Sequence, residues 1–183
     1  MKILVTYFSE TGNTQRVAEA MAEEATGAGH AVNLVEVAAV TDEQLAGADL
    51  VIVGSTCHSS DIASPARDLL SRLPSGGPAL AGFMTHATLM PGKTERHTQL
   101  YEQWAGKGEN TFETAAREKS CEWLGYFHCM GVANPGIEQF IKSTIITDET
   151  EWAEYADEMR AHPNDEDLGS ARAFVQEVIA KLR

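Results

Sequence analysis

The stretch Phe8-Ser9-Glu10-Thr11-Gly12-Asn13-Thr14 decides how the rest of this chain is read. It follows an apolar run, Ile3 to Tyr7, and opens into a helical pattern from about Thr14 to Thr26. A strand that feeds a helix through a tight, hydroxyl-rich turn is a phosphate cradle. The first N–H groups of a helix have no intrahelical partner, and the helix dipole adds partial positive charge there. Ser9, Thr11 and Thr14 bring hydroxyl donors, Asn13 brings an amide, and Gly12 lets the backbone come close or adopt a positive φ. The turn has no Lys or Arg. A triphosphate with magnesium calls for the lysine of G-x-x-x-x-G-K-[ST], and a dinucleotide calls for G-x-G-x-x-G; neither pattern is present. The turn reads as a site for one terminal phosphate held by neutral donors. An ordinary Ser/Thr helix cap is the alternative, but a cap needs a single such residue and this turn supplies several.

Outward from that turn, Ile3 to Tyr7 reads as a first strand, suited to the middle of a parallel sheet. Val17, Ala18, Met21, Ala22 and Ala25 recur at helical spacing, and Gly27 and Gly29 end that helix. Ala31 to Val37 alternates as a second strand, and Asp49 to Gly54 is a third with a fully apolar centre. A second polar turn follows, Ser55-Thr56-Cys57-His58-Ser59-Ser60-Asp61, and then a helix from Ser64 and Pro65 with Ala66, Leu69, Leu70 and Leu73 as its buried stripe. Ala79 to Thr85 is a fourth strand, ending in Thr85-His86-Ala87-Thr88. A helix is expected from near Asn110, with Glu113 placed for a capping box, Phe112, Ala115, Ala116 and Trp123 facing inward, and Gly125 closing it. Tyr126 to Val132 is then a fifth strand, and Asp165 to Leu182 the last helix. Five strands alternating with helices predict an α/β fold, a parallel sheet with helices on both faces.

Two connections exceed simple turns. His86 to Glu109 is one, a length of loop that is usually functional or mobile. Leu100, Tyr101 and Trp104 fit one face of a short helix inside it. Asn134 to Asn164 is the other, with one short helix expected around Ile137, Phe140 and Ile141. A second, carrying Trp152, Tyr155, Ala156 and Met159, is capped near Asp148 with Glu151. These apolar faces read as packing.

Length and composition bound the function. A chain of 183 residues with 43% hydrophobic and 22% charged residues fits one globular domain with a substantial core. No apolar run approaches the roughly 20 residues of a membrane span, and Met1-Lys2-Ile3 leads straight into a strand, so a cytoplasmic protein is expected. Cys57, Cys121 and Cys129 form no C-x-x-C pair, which argues against a disulfide framework and against structural zinc. A formal charge of −13 repels nucleic acid and anionic membrane and would steer a basic partner, although solubility alone also explains it.

The run Ser9-Glu10-Thr11-Gly12-Asn13-Thr14 is similar to the [ST]-x-T-G-x-T loop with which flavodoxins hold the phosphate of flavin mononucleotide (FMN). Its place after the first strand, in a chain of flavodoxin size, adds weight. The resemblance covers residues 1–85 closely and 110–183 in outline. It implies one flavodoxin-like domain over residues 1–183, with a long loop at 86–109 and a helical extension at 134–164. It also implies a doubly wound five-stranded parallel sheet in the order 2-1-3-4-5, the order for which flavodoxin is itself the standard example, with FMN at the switch point. The turns after strands one, three and four then share one edge. The residues implied to contact FMN are Ser9, Glu10, Thr11, Gly12, Asn13 and Thr14, then Ser55, Thr56, Cys57, His58 and Ser59, then Thr85, His86, Ala87 and Thr88.

The chain departs from the family pattern at the ring-gripping loops. Ser55-Thr56 matches, but Cys57 and His58 stand where a Trp is usual, and His86, with Met90 nearby, stands in place of a Tyr. One flavin face is then left more open, for Tyr101 or Trp104 to cover. Residues 55–63 also contain no Gly. A non-Gly residue at positive φ costs of order 1 kcal/mol or more, so weaker semiquinone stabilisation is expected than in an electron-shuttling flavodoxin. Cys57-His58 invites a nucleophile reading, but adjacent residues on an extended loop point apart, and contact with flavin is preferred. His86 and His97 suit proton transfer near neutrality, although solvated loop histidines are commoner. No catalytic residue and no metal site is assigned. The resemblance implies an electron-transfer protein with a redox partner of basic docking face or a small-molecule acceptor. An FMN-dependent reductase of a quinone-like or other small acceptor, using NAD(P)H, is the first alternative. A flavin-binding regulatory or interaction module is the second. Donor, acceptor and oligomeric state stay open.

Overall fold

Every long strand of this chain runs in the same direction, and that places the functional loops on a single edge. The computed structural model describes residues 1–182. It begins with β1 (Lys2–Phe8), α1 (Asn13–Gly27), β2 (Ala31–Glu36), a short 3-10 turn at Val37–Ala39 and α2 (Asp42–Gly47). The middle of the chain forms β3 (Leu50–His58), β4 (Asp61–Ile62), α3 (Ser64–Ser71) and β5 (Ala79–His86). Then come α4 (Glu95–Trp104), α5 (Gly108–Lys119), β6 (Trp123–Met130), α6 (Pro135–Phe140), a π-helical segment Ile141–Ile145, α7 (Glu149–Arg160) and α8 (Asp165–Lys181). The sheet order is β2-β1-β3-β5-β6, with β4 paired only to β3. Without that short strand, this is the expected order 2-1-3-4-5.

Alternation along the strands sends side chains to two cores. Ile3, Val5, Tyr7 and Ile52 pack with Val17, Ala18 and Met21 of α1 and Ala171, Val175 and Val178 of α8. Leu4, Val51, Val53 and Leu80 pack on the opposite face with Leu45 of α2, Leu69 and Leu70 of α3, and Phe112 and Ala116 of α5. Glycines at the sheet centre make room for two phenyl rings. A Cβ at Gly54 would stand 2.0 Å from Phe83 Cζ, and one at Gly82 would stand 2.5 Å from the Phe112 ring. A third cluster joins Met130 and Leu89 to Ile141, Ile146, Trp152, Tyr155 and Met159, so the 134–164 segment carries its own small core against the ends of β5 and β6.

Several expected boundaries differ. The second polar turn is mostly strand: β3 runs on to His58, Ser55 pairs with Met84, Thr56 pairs with Thr85, and the chain doubles back so that Cys57 faces Ile62 and His58 faces Asp61. The two-residue loop of that hairpin is Ser59-Ser60, with φ of 51 and 74. Both central residues of a tight hairpin turn take positive φ because its twist then matches the strands. Two serines therefore adopt the backbone that the absence of Gly argued against.

The helix expected from Asn110 begins earlier, after Lys107, and the capping box with Glu113 does not form. Tertiary contacts set that start. Lys107 N–H donates to the Ser60 carbonyl (3.0 Å), and a Cβ on Gly108 would meet Tyr126 Oη at 2.8 Å. Trp123 and Gly125 lie in β6, not in the helix, which ends at Ser120 with φ 54. Leu80 pairs with Trp123 but Ala81 with Gly125, so Leu124 is an extra residue and Gly125, at φ 130, absorbs the bulge. The strand ends at Met130 and not Val132. Within 86–109 the structure forms α4, as Leu100, Tyr101 and Trp104 suggested. α6 and α7 form where Ile137–Ile141 and Trp152–Met159 suggested, and Asp148 accepts from the N–H groups of Thr150 and Glu151. No helix of the described residues is long and apolar enough to cross a membrane.

Candidate functional site

The C-terminal ends of β1, β3, β5 and β6 border a cleft of about 580 Å³. Open parallel sheets place ligands at this edge, where the strand order reverses. Of the residues singled out in sequence, Glu10, Thr11, Asn13, Thr56, Cys57, His58, Ser59, Thr85, His86, Ala87 and Thr88 line it. Ser9, Gly12, Thr14 and Ser55 are not in its lining; Thr14 and Ser55 support it from behind. Thr14 Oγ1 shares a buried 2.8 Å hydrogen bond with Thr85 Oγ1, tying the first turn to the end of β5. Ser55 Oγ donates to the Thr56 carbonyl and accepts from Ala63 N–H, both at 2.8 Å, and holds the β3–β4 hairpin.

The first turn is braced against the last strand. Asn13 Nδ2 donates to Thr11 Oγ1 (2.7 Å) and to the Val132 carbonyl (2.8 Å), and Thr11 Oγ1 donates to the same carbonyl (3.3 Å). A Cβ at Gly131 would stand 2.8 Å from Asn13 Cγ, so that approach needs glycine. These bonds occupy Thr11, Asn13 and Thr14. Ser9 Oγ is left buried with no partner. α1 starts at Asn13, its cap position is Gly12 in the left-handed region with φ 83, and no side chain caps it. An unpartnered hydroxyl beside uncapped helix N–H groups leaves donors for an anion, and no cation stands in the turn. The donor set fits a phosphate monoester.

The chain matches the model of the flavodoxin domain over residues 4–176. It belongs to the flavodoxin domain family.

Among solved structures, this flavodoxin-domain chain is similar to a flavodoxin from the domain Archaea (17% identical, 100% of this chain and 99% of that one covered, TM-score 0.65). It is also similar to a short-chain flavodoxin associated with a non-canonical PDU bacterial microcompartment (12% identical, 100% and 99% covered, TM-score 0.66). A third similar structure is the rubredoxin oxygen:oxidoreductase of the anaerobe Desulfovibrio gigas (15% identical, 99% of this chain but 36% of that one, TM-score 0.64). Identities this low establish the fold alone. No curated protein matches the chain. Membership of the family implies a flavin cofactor.

The rest of the flavodoxin-domain cleft is asymmetric. Its first half is polar, from Glu10 and Thr11 to Thr85 and Thr88. Its second half is apolar and comes largely from the 134–146 stretch with Trp104. Trp104 and Phe140 meet edge-on at 5.7 Å, and Ile137 and Phe140 stay 47% and 40% exposed at the rim. Tyr101, the other aromatic expected to cover the ligand, is not in the lining and stacks instead on His128 (4.6 Å). In sequence Phe140 reads only as packing. Nothing in its spacing signals a cleft, because α6 reaches the rim through tertiary folding.

Electrostatics narrow the chemistry. Burial pushes the Cys57 thiol up to about 12, and its Sγ donates to the Trp104 carbonyl (3.3 Å), so it stands in the cleft wall as a protonated thiol at neutral pH. His58 Nε2 and Glu10 Oε2 stand 2.8 Å apart, bridging the first turn and the hairpin across the cleft mouth. His86 is 3% exposed, and burial, with His128 beside it, lowers its pKa to about 3. His97 does not line the cleft. Among the described residues no three His, Cys, Asp or Glu side chains gather as a metal site needs.

Proposed function

We propose that this chain binds FMN in the cleft and carries electrons between a reduced donor and an acceptor in the cytoplasm. The unpartnered buried Ser9 hydroxyl beside the uncapped start of α1 carries this reading. A neutral donor set suits a terminal phosphate and offers no grip for a triphosphate with its metal. Bound FMN would supply the redox chemistry, accepting and releasing electrons at its ring. Ser9 and the first N–H groups of α1 hold the phosphate. The Thr56–Ser59 hairpin and the Thr85–Thr88 segment hold the ring edge, and Trp104 supplies the aromatic wall. Cys57, as a thiol, packs against the ring without reacting with it.

With a formal charge of −13, the favoured exchange partner is a redox protein with a basic docking face; nucleic acid is disfavoured. The test is reconstitution. Stoichiometric quenching of FMN fluorescence by the apoprotein is expected, followed by electron delivery to a cationic acceptor protein. Absence of FMN binding sinks the reading. A second reading, an FMN-dependent reductase of a small apolar acceptor, is favoured by the apolar wall of Ile137, Phe140, Ile141 and Ile145 next to the polar half of the cleft. NAD(P)H consumption by the purified holoprotein with a quinone, and no carrier added, would put it ahead.

A further inference from the structure

A buried histidine and a half-buried one stand at the end of the sheet in an arrangement that the phosphate turn does not explain. His86, the last residue of β5, and His128 of β6 share a hydrogen bond of 2.9 Å between His86 Nε2 and His128 Nδ1. Tyr101 stacks on the far ring at 4.6 Å and Tyr126 at 5.7 Å, which fixes its plane. His86 lines the cleft, and its other nitrogen, Nδ1, is buried with no partner at hydrogen-bond geometry. The Thr88 backbone, a hydrogen-bond partner of poorer geometry for the His86 ring, draws its pKa upward less than burial and His128 push it down. Leaving a buried nitrogen unpaired costs about 1–3 kcal/mol, so a pair built only for structure would not leave this atom, on a residue that lines the cleft, without a well-formed bond.

We propose that His86 and His128 form a two-tautomer relay. It lets His86 Nδ1 either donate to or accept from a ring nitrogen of the ligand. The inference rests on the FMN reading above and extends it. A flavin ring nitrogen accepts hydrogen bonds when oxidised and becomes an N–H donor when reduced, and a fixed partner can serve only one of those states. Each neutral imidazole has one donor and one acceptor. In the first state His86 carries its proton on Nδ1 and accepts at Nε2 from His128 Nδ1–H. In the second, His86 carries it on Nε2 and donates to His128 Nδ1, and Nδ1 of His86 is a bare acceptor. The interconversion balances. One proton leaves His86 Nδ1 towards the ligand nitrogen, one moves from His128 Nδ1 to His86 Nε2, and one must enter at His128 Nε2 from solvent, on a ring that is half-buried. Both rings stay neutral throughout, in keeping with the low pKa values of about 3 and about 4 that burial gives them.

Nitrogen-15 NMR of the histidine-labelled holoprotein tests this, with FMN oxidised and then reduced by dithionite. The expected result is a switch of both rings from the Nδ1–H to the Nε2–H tautomer on reduction. A ring that keeps one tautomer in both states, or is charged in either, overturns the relay. In His128→Phe, which keeps a ring in the stack, the ratio of FMN affinities for the two oxidation states is expected to shift about tenfold; an unchanged ratio also overturns it. Where that variant does not fold, the tautomer result on the unmutated chain decides. Failure of the unmutated chain to bind FMN overturns both the relay and the FMN reading, whereas FMN binding with unmoved tautomers overturns the relay alone.

Discussion

Ser9 weighs more than its neighbours in the first turn because, among the hydroxyls of residues 9–14, its own has no internal partner. Its Oγ is buried and unpartnered, while Thr11, Asn13 and Thr14 are bonded to Val132 and Thr85. Ser9→Ala should therefore leave the apoprotein's stability, read from its urea midpoint, within about 0.5 kcal/mol. FMN affinity should fall about 10- to 100-fold, the loss of one hydrogen bond to a charged group. Fluorescence titration and denaturation measure the two effects separately. The histidine pair has a stability consequence as well. Folding lowers the pKa of His86 from 6.5 to about 3 and of His128 from 6.5 to about 4. Between those values and 6.5 the unfolded chain binds protons that the folded chain refuses, so stability rises with pH across the window and is lost as pH falls below about 6.5. The slope approaches about 1.4 kcal/mol per pH unit for each imidazole. Urea midpoints at pH 7 and pH 5 should show it, and a His86→Phe, His128→Phe double variant should show it flattened.

At the scale of elements, two contacts decide whether the site forms. The first is the approach of α5 to β5, which depends on a missing side chain. A Cβ at Gly82 would stand 2.5 Å from the Phe112 ring, and Phe112 is fully buried. Gly82→Ala should cost about 1–3 kcal/mol by overpacking, read as a lower urea midpoint. The second is the meeting of α4 and α6 across the cleft, where Trp104 and Phe140 touch edge-on. Trp104→Ala should weaken FMN binding about three- to tenfold, the range of an aromatic contact, and raise the fluorescence of bound flavin. Tyr101→Ala should affect FMN less directly, because Tyr101 stacks on His128 outside the cleft lining. Equal effects at both positions would mean that the wall acts only by holding α4 in place.

For the whole molecule, charge and cleft shape pull in different directions. A formal charge of −13 steers cationic partners over distances comparable with the screening length. Electron delivery to a cationic acceptor protein should thus slow steeply between low and physiological salt, while reduction of a neutral quinone should not. Stopped-flow rates against ionic strength separate the two, and flat rates with the protein acceptor would remove the charge argument for a docking partner.

Local signals along the chain laid out the frame. Apolar strand runs at Ile3–Tyr7 and Leu50–Val53, amphipathic helices between them and the polar turn at residues 9–14 are local signals, because periodicity and turn chemistry act over a few residues. They placed β1, α1, β3, β5 and α8, and through the family pattern the strand order. What they missed was nonlocal. Ser55–His58 reads as a polar turn but is drawn into β3 by pairing with β5 and β4. Gly125 reads as a helix stop but takes up a bulge against β5. The same holds for the site. That Ser9 is left without a partner, that Trp104 and not Tyr101 borders the cleft, and that His86 meets His128 all follow from residues 42 to 121 positions apart being brought together. Such pairings leave no mark on local composition, because they depend on which strand ends and helix faces the packed core sets side by side.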